Sequence, residues 1–203
     1  MRELRLTLSP TQRRVIRQAA ETAERLSNLD FTAIRSVTYS QQALSTSIGG
    51  HTFLNRLIAA SGRLSRGRPY FDGHHLQIDA SVLRKDNDCI EMSLDEADRL
   101  VWSLEIFLRL HLGQIQIAIE GLVTATSPEG QEVIRDLSDL CSASFGIHSP
   151  EIHEDARIAY DIRQTLRHYL AWSRHPEGGL TRDFDKPLRT SAVALPRITT
   201  VAA

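Results

Sequence analysis

Cysteine and lysine are scarce in this chain of 203 residues. Cys89 and Cys141 are its two cysteines, and a pair so far apart forms neither a disulfide framework nor a four-ligand zinc site. Lys85 and Lys186 are the two lysines among 24 basic residues, and the others are arginine. The planar guanidinium suits phosphate and carboxylate groups, although a GC-rich genome produces the same bias.

Long apolar runs and an excess of either charge are also lacking. The longest apolar stretch, residues 100–123, contains Glu105, Arg109, His111 and Glu120, so it predicts no membrane span. No apolar segment follows the first residues, so we expect no signal peptide and a cytoplasmic protein. A net charge of −1 disfavours nucleic acid as the partner, because DNA-binding domains carry a broad basic face. With 41% hydrophobic residues, the chain has the composition of a folded globular protein.

Two segments resemble each other at an offset of 84 residues. Residues 6–9 and 90–93 each predict a short alternating strand. Each strand is followed by a capping box, in which Ser9 precedes Gln12 and Ser93 precedes Glu96 by three residues. A duplication explains the similarity, although capped helices resemble one another in general.

The expected fold is α+β and mainly helical, with two related strand-plus-helices lobes at 1–88 and 89–203. Caps, prolines and glycines predict helices at 10–27, 52–62, 94–121, 127–144 and 149–174. The tail after Gly179 is expected to be extended as far as Ile198, because Pro187 and Pro196 oppose a helix. We expect a homodimer or a larger homo-oligomer.

The last predicted helix carries its arginines on one side. At about 100° per residue, Arg163, Arg167 and Arg174 fall together at the edge of an apolar stripe. Two arginines four residues apart can bind one phosphate or carboxylate with both guanidinium groups. In the alternative interpretation these arginines pair with Asp183 and Asp185 and hold the tail against the helix.

His168 and Trp172 lie one turn apart on the other side of the same helix. They could hold a nucleobase between their rings, or they could form a packed pair. A tryptophan on this side predicts a second layer over the helix, formed by the tail at 179–198 or by another subunit.

An arginine-rich loop is predicted at 61–71. Arg63, Arg66 and Arg68 form a local positive patch, and Tyr70 and Phe71 offer rings for stacking a base. These residues are candidate ligands for a small anionic, nucleotide-like molecule. The alternative is a solvated surface loop.

Signatures of an enzyme are few. A divalent metal could be bound by four residues close together in the chain: Asp72, His74, His75 and Asp79. The sequence shows no matching residues that would orient these ligands by hydrogen bonds. The chain has no phosphate-binding Walker loop and no metalloprotease motif. We therefore expect no metal, no cofactor and no catalytic residue.

The C-terminal half resembles a family of small proteins encoded by tailed bacteriophages and prophages. The resemblance covers residues 89–198 and is carried by five segments: LRLHLGQIQIAIE (108–120), FGIHSPEI (145–152), RIAYDIRQTLRHYLAW (157–172), PEGGLTRDFDKPLR (176–189) and LPRI (195–198). In this chain Arg182 stands where the family has an apolar residue. These motifs mark the family and carry no mechanism.

The resemblance implies a phage accessory protein that counters host defence from the host cytoplasm. One class of such proteins binds and sequesters nucleotide immune messengers without chemistry, and this is the function that we expect. A first alternative is a protein that inhibits a bacterial defence enzyme by direct contact. A second is a metal-dependent nuclease or phosphodiesterase that uses the residues between 72 and 79.

Overall fold

A computed structural model describes residues 3–27, 30, 33–34, 88–120 and 145–201 of the chain. Its elements in chain order are β1 (Glu3–Thr7), α1 (Pro10–Ser27), β2 (Cys89–Ser93), α2 (Leu94–His111), α3 (Ile115–Glu120), α4 (Glu154–Arg174), a 3-10 turn (Arg182–Phe184) and β3 (Arg197–Val201). The fold is mainly helical α+β, as the sequence predicts. The predicted helices at 52–62 and 127–144 lie outside the described residues.

The three strands form an antiparallel sheet in the order β2-β1-β3. Buried and exposed residues alternate along β1, so that Leu4 and Leu6 face the core. Leu6 lies opposite Ile90 of β2 on one side and Ile198 of β3 on the other. The inner face of the sheet therefore presents a continuous apolar surface to the helices.

Helices α1, α2 and α4 cover this surface and share one hydrophobic core with the strands. On α1 the buried residues recur every three or four positions, for example Ile16, Ala19, Ala23 and Leu26, which is the period of one helix face. Residues from both sides of position 88 contribute to this core. The division of the chain into two related lobes, at 1–88 and 89–203, therefore stays a prediction.

The predicted repeat corresponds to equivalent structure in both copies. Helices α1 and α2 each have 18 residues, and both of their ends differ by the same 84 positions. Leu6 pairs directly with Ile90, its own counterpart in the repeat. When equivalent residues of two antiparallel strands face each other, the copies are related by a local two-fold axis between them.

The equivalence extends past the ends of these helices. The backbone N–H of Asp30 donates to the carbonyl of Arg25 at 2.8 Å, and the N–H of Gln114 donates to Arg109 at 2.8 Å. In each copy the arginine side chain also donates to the side chain of its partner. These positions again differ by 84 residues, so the turn after the helix repeats as well.

Two predicted helix boundaries differ from the structure. The helix predicted at 94–121 is divided into α2 and α3, and Gly113 between them has a φ of 74°, a left-handed conformation that favours glycine. Helix α4 begins at Glu154 instead of 149, because the imidazole of His153 caps it by accepting the N–H of Asp155 at 3.2 Å. The segment before it forms turns.

The C-terminal tail is fixed along α4 by the buried carboxylate of Asp161. This carboxylate accepts the backbone N–H groups of Thr190 and Ser191 at 2.8 and 2.9 Å. It also accepts both of their hydroxyl groups at 2.7 Å. Farther along, the Gln12 side chain donates to the carbonyl of Ala194 at 2.8 Å. The second layer over α4 is therefore the tail, one of the two coverings that the sequence predicts.

Candidate functional site

A cleft of about 710 Å³ lies between α2, α4 and the loop that follows α4. Its volume is in the range of small-molecule sites. Helix α2 contributes Asp98, Val101, Trp102 and Glu105; helix α4 contributes Arg163, Arg167, Leu170, Ala171 and Arg174; the loop contributes residues 175, 178–181, 183 and 184. The three arginines that the sequence places on one face of α4 thus line one cleft.

Two of these arginines form partly exposed ion pairs at the rim. A terminal nitrogen of Arg167 lies 2.7 Å from Oδ1 of Asp183. Arg174 pairs with Asp98 of α2, with one nitrogen 3.3 Å from Oδ1. The expected pairing with the tail is therefore present at Asp183. Asp185 has no ion pair among the described residues.

Glu105, which lines the cleft, is shared by two guanidinium groups. Nε of Arg163 lies 2.7 Å from Oε2 of Glu105, and Arg109 lies 2.9 Å from Oε1 of the same residue. The Arg163 side chain is only 13% exposed, and neither its Nε nor Oε2 of Glu105 completes an aligned hydrogen bond. Burial lowers the pKa of Arg163, the negative charge of Glu105 opposes this change, and the positive charges of Arg167 and Arg109 add to the lowering. Two guanidinium groups therefore share one carboxylate, and one of them, Arg163, lines the cleft.

Apolar side chains border the cleft. Trp102 is 53% exposed, and Leu180 across the opening is fully exposed. Val101 and Leu170 belong to or pack against the core and form the adjoining apolar surface. A flat ring entering the cleft would meet the Trp102 indole close to the arginines.

His168 and Trp172 contact the tail and do not line the cleft. Nδ1 of His168 lies 3.1 Å from the carbonyl oxygen of Asp183, and Nε1 of Trp172 donates to the carbonyl of Phe184 at 3.3 Å. The Trp172 ring packs edge-on against Phe184, with centroids 5.3 Å apart, and against His168 at 6.4 Å. In the structure these two residues thus hold the tail, and the distance between their rings leaves no room for a base.

The glycines after α4 permit this packing. Gly178 has a φ of 84°, and its Cα faces the Trp172 ring. A Cβ on Gly179 would lie 2.9 Å from Cζ of Phe184, which is closer than carbon atoms normally approach. The Pro-Glu-Gly-Gly motif therefore sets the path of the chain along one wall of the cleft.

The other predicted ligand residues lie outside the described part of the chain: Arg63, Arg66, Arg68, Tyr70 and Phe71. The candidate metal ligands at 72, 74, 75 and 79 lie outside it too. Within the described ranges, no cluster of histidine, cysteine, aspartate or glutamate side chains could hold a metal ion. No helix in those ranges is both long enough and apolar enough to cross a bilayer.

Sequence reasoning missed the α2 side of the cleft. Four residues of α2 share one helix face, because they follow one another at intervals of four, three and four residues: Asp98, Trp102, Glu105 and Arg109. This polar and aromatic stripe was a usable signal, since the other faces of α2 are mainly apolar. Its pairing with α4 depends on how the two helices pack.

Comparisons with known protein families, curated proteins and solved structures find no match to this chain. The resemblance to phage proteins therefore rests on the sequence motifs, and the function has to be argued from the cleft.

Proposed function

We propose that the protein binds a small, nucleotide-derived anion in the cleft between α2 and α4 and holds it without converting it. In the setting that the phage resemblance implies, the bound molecule is an immune messenger of the host, and binding removes it from its receptor. The cleft supports this proposal by its volume, its three arginines and its exposed tryptophan.

The observation that carries the proposal is the sharing of Glu105 by Arg163 and Arg109. A buried guanidinium without a full hydrogen-bond complement is unfavourable, and a second one nearby adds repulsion. A phosphate group in the cleft beside Arg163 would supply a further negative charge and further acceptor oxygens. Phosphate accepts such hydrogen bonds from arginine at two oxygens at once.

The ion pairs at the rim are compatible with ligand entry. The side chains of Arg167 and Asp183 are 35% and 29% exposed, and ion pairs this open to water contribute about 0–1 kcal/mol. A phosphate dianion can therefore replace the carboxylate on Arg167 at small cost. Trp102 then offers its ring to the base, an interaction of about 1–3 kcal/mol in nucleotide-binding sites.

Inhibition of a defence enzyme by direct contact remains the second candidate, because Leu180 and Leu188 are strongly exposed. Exposed leucines beside an open cleft are typical of protein contacts as well as of ligand sites. The two functions differ in what the purified protein binds.

The test is a depletion experiment with the full chain. The protein is incubated with cyclic oligonucleotides and cyclic ADP-ribose isomers, removed by filtration and heated, and both fractions are analysed by mass spectrometry. We expect one messenger to be depleted and released intact on heating. Release of a cleaved product, or depletion of none, would contradict the proposal.

The matched variants are Trp102→Ala and Arg197→Gln. Trp102 is exposed, so its loss should leave the fold intact while weakening depletion at least tenfold. Arg197 is an exposed arginine of β3 that does not line the cleft, and its substitution should leave depletion unchanged. A loss of depletion in Arg197→Gln would mean that the ligand responds to the net charge of the protein instead of to the cleft.

A further inference from the structure

A second, smaller pocket lies on the other side of the tail, between α4 and the loop formed by residues 182–190. Its volume is about 310 Å³, and Tyr160 and Gln164 of α4 contribute to its wall. Three cations of the loop, Arg182, Lys186 and Arg189, also line it. Asp183 borders both this pocket and the cleft, but its carboxylate is engaged by Arg167.

The cations of this pocket differ from the arginines of the cleft, which form ion pairs. Within the described part of the chain, Arg182, Lys186 and Arg189 form no ion pair or side-chain hydrogen bond. Asp185 is the one lining carboxylate that is not already bound to another group. The pocket therefore concentrates positive charge, whereas the net charge of the whole chain is −1.

The loop that carries these cations is fastened at both ends. At one end Asp183 contacts Arg167 and His168, and at the other Thr190 donates twice to Asp161. Pro187 between these points restricts the backbone further. Fixing the backbone reduces the conformational entropy that the loop would lose on binding a ligand.

A neutral donor also lines the pocket. The Tyr160 hydroxyl oxygen accepts a hydrogen bond from Nε2 of Gln164 at 3.2 Å, so its own hydrogen is available to an acceptor. A tyrosine hydroxyl beside several cations matches an anion with several oxygens better than it matches a halide, because each oxygen can accept from a different donor.

We propose that this pocket binds a phosphate group, either inorganic phosphate or a small phosphomonoester. A phosphate dianion would balance the excess of cations over the free Asp185 carboxylate, and its oxygens would accept from Arg182, Lys186, Arg189 and the Tyr160 hydroxyl. This site is separate from the cleft and does not depend on the function proposed for it.

The experiment is calorimetric titration of the full chain with inorganic phosphate and, separately, with ribose 5-phosphate, in about 20 mM salt, where charge interactions are weakly screened. We expect saturable binding at one site. Tighter binding of ribose 5-phosphate would assign the pocket to a phosphomonoester, and equal affinity would assign it to the free ion. The absence of saturable binding with either probe would overturn the proposal.

Variants locate the binding in the pocket. Arg189→Gln should weaken it about 10-fold or more, since a charge-assisted hydrogen bond has that effect. Tyr160→Phe should weaken it several-fold. Arg197→Gln, with the same change of charge on β3, and Arg163→Gln, in the cleft, should leave it unchanged. Equal weakening by Arg197→Gln would reveal unspecific attraction, and weakening by Arg163→Gln would place the phosphate in the cleft. Either result would refute a separate site.

Discussion

His111 makes the stability of this protein depend on pH in a defined range. Its side chain lies at the end of α2 and is 5% exposed. The ring packs edge-on against Phe107 at 4.5 Å and nearly parallel to His153 at 6.0 Å. Its Nδ1 has no hydrogen-bond partner among the residues that the structure describes. Burial and, to a smaller extent, the nearby His153 lower the pKa of His111 to about 4, although Asp155 opposes the change.

The sign of the effect follows from where the proton binds. An unfolded histidine has a pKa near 6.5, so between pH 6.5 and about 4 the unfolded chain binds a proton that the folded chain does not. Stability is therefore complete above pH 6.5 and falls as the pH is lowered to about 4. Each pKa unit corresponds to about 1.36 kcal/mol, so the total loss is about 3 kcal/mol, with a slope near 1.4 kcal/mol per pH unit.

The measurement is urea unfolding followed by circular dichroism between pH 7.5 and 4.5. We expect the His111→Leu variant to lose most of the slope, because leucine does not titrate and Nδ1 makes no bond that would be lost. His148→Leu, at an exposed histidine, should retain the slope. A flat wild-type profile, or the same slope in His111→Leu, would refute the reasoning.

The carboxylate of Asp155, close to His111, titrates in a separate pH range. Asp155 binds Arg14 of α1 through both oxygens, at 2.6 and 2.8 Å. This contact keeps the pKa of Asp155 below its ordinary 3.8, so its contribution is lost only as the pH falls beneath that value. Asp155 therefore adds little to the change in stability between pH 7.5 and 4.5.

Two further substitutions test how the tail is held. Asp161→Ala removes the acceptor for the N–H and hydroxyl groups of Thr190 and Ser191. We expect it to lower the free energy of unfolding by about 3 kcal/mol in urea titrations. A loss below about 1 kcal/mol would show that water replaces the carboxylate. Gly179→Ala places a methyl group against the Phe184 ring and should cost about 1–2 kcal/mol in thermal unfolding. An unchanged melting temperature would mean that the ring moves aside freely.

Local signals accounted for the helix starts. Ser9 and Gln12 form the predicted capping box, in which the Gln12 side chain accepts the Ser9 N–H at 2.8 Å and the Ser9 hydroxyl accepts the Gln12 N–H at 3.3 Å. Ser93 and Glu96 do the same at 2.7 and 3.2 Å. These bonds join residues three positions apart, so residue type and spacing suffice to predict them. The start of α4 was missed because a histidine cap is not among the strongly preferred types.

Long-range partners could not be predicted. The face shared by Arg163, Arg167 and Arg174 follows from helical periodicity, and it is found in the structure. The carboxylates Asp98 and Glu105, which pair with two of these arginines, come from α2, more than 50 residues earlier in the chain. Periodicity places residues on a face of one helix and does not determine which other helix lies against it.

The sequence by itself determined the mainly helical α+β character, the repeat of strand and capped helix, and the common face of the α4 arginines, because each depends on contacts within a few turns of chain. The tertiary structure alone decided that β3 pairs with β1, that Asp161 and Gln12 hold the tail, and that Glu105 is shared by two arginines. These features join segments tens of residues apart. Which distant segments come into contact depends on which packing buries the most apolar surface while every buried charge finds a partner.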